Sequence, residues 1–477
     1  MHQVNGHRLN TVFRKPGAHD RKDRARICVV GAGYVGLVTA VCLAQLGHAV
    51  VCIETDRPRL AALRRGRVPF REPGLSELMA ETVASGALEF TDKFMDVIPQ
   101  AQFAFIAVHT PPTPSGSADT SFVFSATRSV LRSASPGLII IVKSTVPPGT
   151  ADTMAGMAAA SGENVEVISN PEFLREGSAC KDFFRPDRIV IGAASAQASR
   201  SVAALYKGID APVVICGRRS AEFAKYASNA LLAARLSLVN ELASICECVG
   251  ADIDEVVEAV ALDRRIGGEF LEAGLGWGGS CFPKDLAALI YTAQKHNLLP
   301  LVLNSARAAN EAQHERTVKR LNAALPQVED ATIGILGLAF KPGTDDIRGS
   351  PSIDIIRRLT NEYDFAIRAH DPLAMGGARK VLPDIRYCPN AYEVAAGCDA
   401  LVLATKWPEY LELDWALVRS QMRGNIVLDG RNALDGSSLR RIGFAYLSFG
   451  RCVDGLPFTE AVDAKANTSL IAEMAAS

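Results

Sequence analysis

The reading of the fold rests on residues 26–54: Arg26-Ile27-Cys28-Val29-Val30, then Gly31-Ala32-Gly33-Tyr34-Val35-Gly36, a segment from Leu37 to Leu46, and Ala49-Val50-Val51-Cys52-Ile53 closing on Glu54. The first apolar run reads as a buried strand and the segment after the glycines as a helix, ended by Gly47 and His48. The second apolar run reads as another strand. The glycines between strand and helix suit a tight turn, close approach of a pyrophosphate and close helix packing, with the helix N-terminus facing the phosphates. Gly31, Gly33, Tyr34, Val35 and Gly36 are therefore the expected pyrophosphate contacts. Glu54 stands where an acid bonds the adenine-ribose hydroxyls and disfavours a 2′-phosphate, so NAD is the expected cofactor.

Strand-like runs continue along the chain and end in polar loops. Ala101 to Val108 leads into His109-Thr110-Pro111-Pro112, and Leu138 to Val142 into Lys143-Ser144-Thr145-Val146-Pro147-Pro148-Gly149-Thr150. Val165 to Ser169 precedes Asn170-Pro171-Glu172-Phe173-Leu174-Arg175-Glu176-Gly177, and Arg188 to Gly192 is one more strand. In an open parallel sheet the carboxyl ends of the strands line the ligand crevice, which makes these loops candidates for the site. Glu172 and Glu176 are four apart and are expected on one helical face. In a crevice such a pair suits proton handling; on a surface it is a solvated face. His109 reads either as a general base or as polar lining.

From Ala221 to Cys248 apolar residues recur at helical spacing without a proline, as in a helix that joins domains or forms a subunit interface. Lys225 and Asn229 share a face of it, and a buried lysine beside an amide can hold a developing oxyanion. Arg265 follows as a candidate anion clamp. Next comes Gly278-Gly279-Ser280-Cys281-Phe282-Pro283-Lys284-Asp285, ahead of an apolar helical run. Pro283 suits a first helical turn, which puts Cys281 at or just before a helix N-terminus. The dipole and Lys284 are then expected to favour thiolate, although a buried cysteine at a helix start is the commoner structural meaning.

A helical stretch over about 286–325 and a loop at Pro326 precede a second α/β unit, starting with Thr332 to Leu336. The loop Gly337-Leu338-Ala339-Phe340-Lys341-Pro342-Gly343-Thr344-Asp345-Asp346-Ile347-Arg348 lacks the full fingerprint but is glycine-rich and basic, which suits the phosphates of a second nucleotide. Further strands are expected at 365–369, 400–404, 426–428 and 444–449, with Arg431 placed for a diphosphate.

At 477 residues the chain is long enough for two or three domains. A net charge of −1 gives no global pull toward nucleic acid. The eleven cysteines show no paired CxxC spacing, so neither a disulfide framework nor a metal site is expected, and a cytoplasmic location fits. No apolar run is long enough to span a membrane. The expected organisation is a basic extension over 1–24, an NAD-binding domain over 25–220, and a central helical domain carrying Cys281 over 221–325. A second nucleotide domain over 326–460 and a tail over 461–477 complete it.

Taken together, GAGYVG at 31–36, EPGL at 72–75, KSTVPPGT at 143–150, SNPEFLREG at 169–177, AEFAKYASNALLA at 221–233, RIGGEFL at 265–271, GGSCFPKD at 278–285, GLAFKPGTDDIR at 337–348 and DGRN at 429–432 resemble the UDP-glucose/GDP-mannose dehydrogenase family. The resemblance runs from about Arg26 to about Gly450. It implies an α/β fold of two Rossmann-like doubly wound domains joined by a long central helix, and oxidation of a nucleotide sugar's alcohol twice to a carboxylate, with two NAD reduced. Phe282-Pro283-Lys284-Asp285 favours UDP-glucose as substrate. GDP-mannose or a UDP-N-acetylhexosamine is the alternative, and a non-catalytic binding protein a remote one.

By the same resemblance Cys281 is the nucleophile that retains the aldehyde, Lys225 and Asn229 hold the oxyanion, and Asp285 is a polar partner of the reacting centre. Glu172 and Thr145 are the acid/base and water-positioning pair. Thr110, Thr145, Glu176, Lys284 and Arg348 fall on the cofactor side. Phe173, Leu174, Arg265, Phe270, Leu271, Gly278, Lys341 and Arg431 join Glu172, Lys225 and Asn229 as nucleotide-sugar contacts. Arg265 is expected to reach in from a neighbouring subunit, implying a homodimer or higher oligomer. Two departures stand out: His109 replaces a small residue, and Lys406 replaces an acid in Thr405-Lys406-Trp407.

Overall fold

Two parallel sheets repeat one strand order. The computed structural model describes residues 24–325 and 330–451, so the basic stretch before Arg24, the loop at Pro326 and the tail lie outside the described residues. The first sheet contains β1 (Arg26–Val30), β2 (Ala49–Ile53), β3 (Leu88–Thr91), β4 (Phe103–Ile106), β5 (Ile139–Val142), β6 (Glu166–Ser169), β7 (Ile189–Gly192) and β8 (Val213–Cys216). Its order is β3-β2-β1-β4-β5-β6-β7-β8, parallel except between β6 and β7. The second contains β9 (Thr332–Leu336), β10 (Ala366–His370), β11 (Arg386–Tyr387), β12 (Ala400–Leu403), β13 (Ile426–Asp429) and β14 (Ala445–Leu447), in the order β11-β10-β9-β12-β13-β14.

In each sheet the order reverses beside its first strand, and a crevice opens there at the carboxyl ends. Helices cover both faces of the inner strands: β4, β5, β12 and β13 are buried at every position, and Asp429 at the end of β13 is their one charged residue. Three strands escape the sequence reading, each at a sheet edge. β3 mixes buried and exposed positions, β8 is apolar but largely exposed, and β11 has two residues.

The central helix (Arg218–Val249) has 32 residues and ends at Gly250 in the left-handed region, φ 75°. Its buried face carries Ala221, Tyr226, Ala230, Ala233 and Val239. Four further apolar positions do not join that core: Phe223, Leu231, Leu238 and Leu242 are exposed. The helical stretch expected over 286–325 is two helices, Phe282–Lys295 and Leu301–Ala324. Asn297 at φ 57° and Pro300 at the next helix's start break the run. Helix Ile253–Ala261 lies between the central helix and the cysteine segment and was not anticipated. No helix among the described residues is long and apolar enough to cross a membrane.

Candidate active site

Cys281 is the N-cap residue of helix Phe282–Lys295, with Pro283 in the first turn as its ring geometry allows. The backbone leading to it is held on both sides. Asn240 Oδ1 accepts from Gly274 N–H at 2.8 Å, and Gln313 Nε2 donates to the Gly274 carbonyl at 2.6 Å. Asn310 accepts from Trp277 N–H at 2.8 Å and donates to the Trp277 carbonyl at 3.1 Å. Gly278 must be glycine because a Cβ there would run into the Gly349 carbonyl oxygen of the second unit. The cysteine is thereby fixed where the two α/β units meet.

Around it lies a buried polar cluster: Glu172, Lys225, Asn229 and Asp285. Lys225 Nζ is 3.0 Å from Glu172 Oε1, while Glu172 Oε2 accepts from Leu174 N–H at 2.6 Å. Asn229 Nδ2 donates to Asp285 Oδ2 at 2.6 Å, and Lys284 Nζ donates to Asp285 Oδ1 at 2.5 Å. Lys225 and Asn229 are one helical turn apart, which is why one face of the central helix brings both here. Burial pulls the Lys225 ammonium down, but Glu172, Cys281 and Asp285 outweigh it and hold the group above the ordinary lysine value.

The thiolate expectation is overturned. Burial and then Glu172 push the Cys281 thiol above its ordinary value, and Lys225 and Lys284 offset this only in part. Burial is the main cause, and each lysine that offsets it also faces a carboxylate, Lys225 with Glu172 and Lys284 with Asp285. The expected common face of Glu172 and Glu176 is also absent, since residues 170–175 form no helix. Glu172 turns to Lys225, whereas Glu176 accepts from Ser280 Oγ at 3.0 Å and faces Thr344 and Arg348. Burial, then Asp346, push the Glu176 carboxyl up to about 7, against Arg348, Ser280 and Lys341.

Thr145 lies in the loop after β5, its carbonyl accepting from Thr110 Oγ1 at 2.9 Å. The loop is anchored from the central helix: Glu222 accepts from Gly149 N–H at 2.6 Å and Ala151 N–H at 2.7 Å. On the opposite side, Phe173 carries the Arg188 guanidinium at 4.0 Å and the Lys225 ammonium at 5.5 Å. Leu271 is buried, and Phe270, at φ 60°, sets its ring 6.4 Å from that of Phe282. Burial lowers Lys341, against Glu176. Arg431 donates through Nε to the Ala404 carbonyl at 2.7 Å, while its Nη2 is buried with no hydrogen-bond partner among the described residues. Burial brings its guanidinium down to about 10. Leu275 N–H donates to the Gly430 carbonyl at 3.0 Å, so the Arg431 loop abuts the segment leading to Cys281.

One expected residue lies elsewhere. Arg265 is exposed, forked onto Asp263 at 2.6 Å, and takes no part in this chain's cluster. Lys406 pairs with Glu272 at 2.9 Å. Arg348 bonds Asp346 at 2.6 Å and reaches Glu176 at 3.6 Å.

The fingerprint turn fits a dinucleotide. Gly31 has φ +99°, and a Cβ there would meet the Ala107 carbonyl oxygen at 2.6 Å; a Cβ on Gly36 would strike the Gly31 carbonyl. The following helix (Tyr34–Gln45) starts at Gly33 with no side-chain cap and no acid in its first turn, leaving its N–H groups for an anion. Glu54, at the end of β2, accepts from Ala32 N–H at 3.1 Å and from Arg59 at 3.1 Å. Tyr34 and Val35 offer that helix's first N–H groups, but the Tyr34 hydroxyl is taken by Glu72 and Gly177 N–H. The imidazole of His109 lies 3.6 Å from where a Gly33 Cβ would stand.

Some functional positions went unread. Glu72, Glu222 and Asn310 anchor the loops, and Lys143 is buried behind Glu172. The EPGL and KSTVPPGT motifs flagged Glu72 and Lys143 as places, without a partner for either.

The chain matches known proteins along most of its length. Residues 25–210 match the model for the NAD binding domain of the UDP-glucose/GDP-mannose dehydrogenase family, 219–312 its central domain, and 334–436 its UDP binding domain. A UDP-glucose 6-dehydrogenase of Rhizobium meliloti is 40% identical over 435 residues, covering 89% of this chain and 99% of the relative. Among solved structures, a UDP-glucose dehydrogenase from Pyrobaculum islandicum is 39% identical with a TM-score of 0.85, covering 92% of this chain and all of that one. A UDP-D-ManNAc dehydrogenase from Pyrococcus horikoshii is 27% identical with a TM-score of 0.78, covering 89% and 99%. Matched through all three of its domains and nearly end to end by these relatives, the chain belongs to the UDP-glucose/GDP-mannose dehydrogenase family.

Proposed function

We propose that this chain oxidises UDP-glucose to UDP-glucuronate through a thioester on Cys281, with two NAD reduced per turnover. The observation that carries the reading is a fixed thiol at the junction of two nucleotide-type sheets, ringed by Lys225, Asn229, Asp285 and Glu172. Gly31, Gly33, Gly36, Glu54 and the N–H groups of Tyr34 and Val35 would hold NAD, with Thr110, Thr145, Glu176, Lys284 and Arg348 nearer its reactive end. When bound, NAD accepts the hydride removed in each oxidation. Lys341, Arg431, Phe173, Leu174, Phe270, Leu271 and the Gly278 backbone would hold the nucleotide sugar.

Cys281 then has a defined task. Its sulfur bonds the aldehyde carbon and the carbonyl oxygen becomes the thiohemiacetal oxygen, held by Lys225 and Asn229. Because burial holds the thiol in its protonated form, its proton must leave during attack, and it ends on the new thiohemiacetal oxygen that Lys225 and Asn229 hold. Removal of the second hydride leaves a thioester. Water positioned by Thr145 and Glu172 attacks its carbonyl carbon, the C–S bond breaks, and the sulfur regains a proton. One sugar alcohol, one water and two NAD give one carboxylate, two NADH and three protons.

The sugar assignment rests on the relatives, since those named for UDP-glucose stand at 39–40% identity and the one named for UDP-D-ManNAc at 27%. A panel of nucleotide sugars tests it. UDP-glucose is expected to turn over fastest and to yield two NADH per sugar consumed; a ratio of one, or preference for GDP-mannose, overturns the assignment. Free thiols such as Cys28, Cys42, Cys52, Cys180 and Cys281 support a reducing compartment such as the cytoplasm.

A dimer is part of the same proposal. Leu231, Leu238, Leu242, Ile245 and Val249 form an exposed apolar seam on the central helix, at coiled-coil-like spacing, and the exposed Arg265, here paired with Asp263, would turn to a partner's site. Changing Leu238 and Leu242 together to Glu is expected to give monomers by sedimentation and to abolish turnover. An active monomer would refute the shared site.

A further inference from the structure

Behind the Glu172 segment is a cleft of about 70 Å³, lined by Lys143, Asn170, Glu172, Phe173, Arg188 and Tyr206 among others. Lys143 follows β5 directly and is buried, yet the chemistry above makes no use of it. Its Nζ donates to Asn170 Oδ1 at 3.0 Å, and the Tyr206 hydroxyl donates to the same oxygen at 2.5 Å. Asn170 Nδ2 donates to the Val190 carbonyl at 2.8 Å, and its backbone N–H to the Val142 carbonyl at 2.9 Å. Asn170 is thus pinned from β5, β7 and Tyr206, and it starts the segment that carries Glu172. Lys143 starts the loop that carries Thr145. One side-chain bond therefore ties together the two segments whose residues must meet at a water.

A neutral donor could make that bond, so the choice of a lysine calls for another reason. A buried ammonium is costly: burial brings Lys143 down to about 8, with Lys225 adding repulsion and Glu172 the opposing attraction. The carboxylate that favours its charge is Glu172, which already holds Lys225 on its other side.

We propose that Lys143 is a positioning residue for the hydrolytic half of the reaction: through Asn170 it fixes the Glu172 segment against the Thr145 loop, and its charge stands as a second cation behind Glu172. This rests on the thioester reading. Lys143→Ala, in the full-length protein, separates the two halves. Mixed with saturating UDP-glucose and NAD, it is expected to form two NADH per site in a burst as fast as the wild type's. The steady state that follows should be slower by about tenfold or more. KM for both substrates should stay within about threefold.

Because the cleft adjoins the deleted side chain, ethylamine should restore part of the steady state and ethanol should not. A steady state within about twofold of wild type, a parallel fall of burst and steady state, or equal restoration by ethanol would each overturn the proposal. Should Lys143→Ala not fold, Lys143→Met fills the same space without charge and is judged by the same burst and steady state. Failure of the thioester reading would show separately, as one NADH per sugar in the wild type.

Discussion

Cys281→Ser is expected to lower steady-state NADH formation from UDP-glucose by about a thousandfold or more while leaving NAD and nucleotide-sugar binding within about threefold. Serine preserves the N-cap position, the approach of the backbone through Gly278 and the room around the side chain. What changes is the nucleophile. A buried hydroxyl is far harder to ionise than the thiol, whose own acidity is already weakened by burial and Glu172, and an oxygen ester is a poorer acyl carrier. Stopped-flow NADH formation and equilibrium binding check both halves. Steady-state turnover within about tenfold of wild type would rule out the sulfur-linked route.

Lys225→Met is expected to damage both chemistry and stability. It removes a donor from the oxyanion position, a loss worth roughly a hundred- to a thousandfold in kcat. It also strands the Glu172 carboxylate in a buried site, which costs on the order of 3–5 kcal/mol when one partner of such a pair is deleted. Replacing both partners, Lys225→Met with Glu172→Gln, should restore much of the lost stability, because the buried carboxylate is no longer stranded even though Lys143 loses its attraction, and should restore none of the turnover. Thermal denaturation alongside steady-state kinetics reads the two effects. If the double variant melts no higher than Lys225→Met, the pair is not the electrostatic unit described here.

The difference between local and distant interactions explains what could be read in advance. The turn at Gly31–Gly36 with Glu54 was legible because strand, turn, helix and second strand are consecutive and each glycine answers a steric demand within that unit. Lys225 and Asn229 were legible as a pair because one helical turn puts them on one face. The helix-start position of Cys281 followed from Pro283 and the apolar run behind it. In contrast, the spacing of Glu172 and Glu176 suggested a shared face that does not form. Their partners come from elsewhere: Lys225 for one, and for the other Ser280, 104 residues away. The exposed leucines of the central helix left two readings open, a domain joint or a subunit interface, for a related reason. Helical spacing records that a stripe is apolar, and only packing tells whether its partner is in the same chain.

The chain's sequence by itself determined the two α/β units, the helix between them, the dinucleotide turn and the family, because these depend on local sterics and on motifs with short internal spacing. Tertiary structure alone decided the electrical state of the site. Whether Cys281 gains or loses acidity depends on how far it is buried and on which carboxylate each nearby lysine has already met. The buried place of Lys143 behind Glu172 was hidden for the same reason: charge and desolvation sum over every neighbour in space, and the order of residues along a chain does not say who those neighbours are.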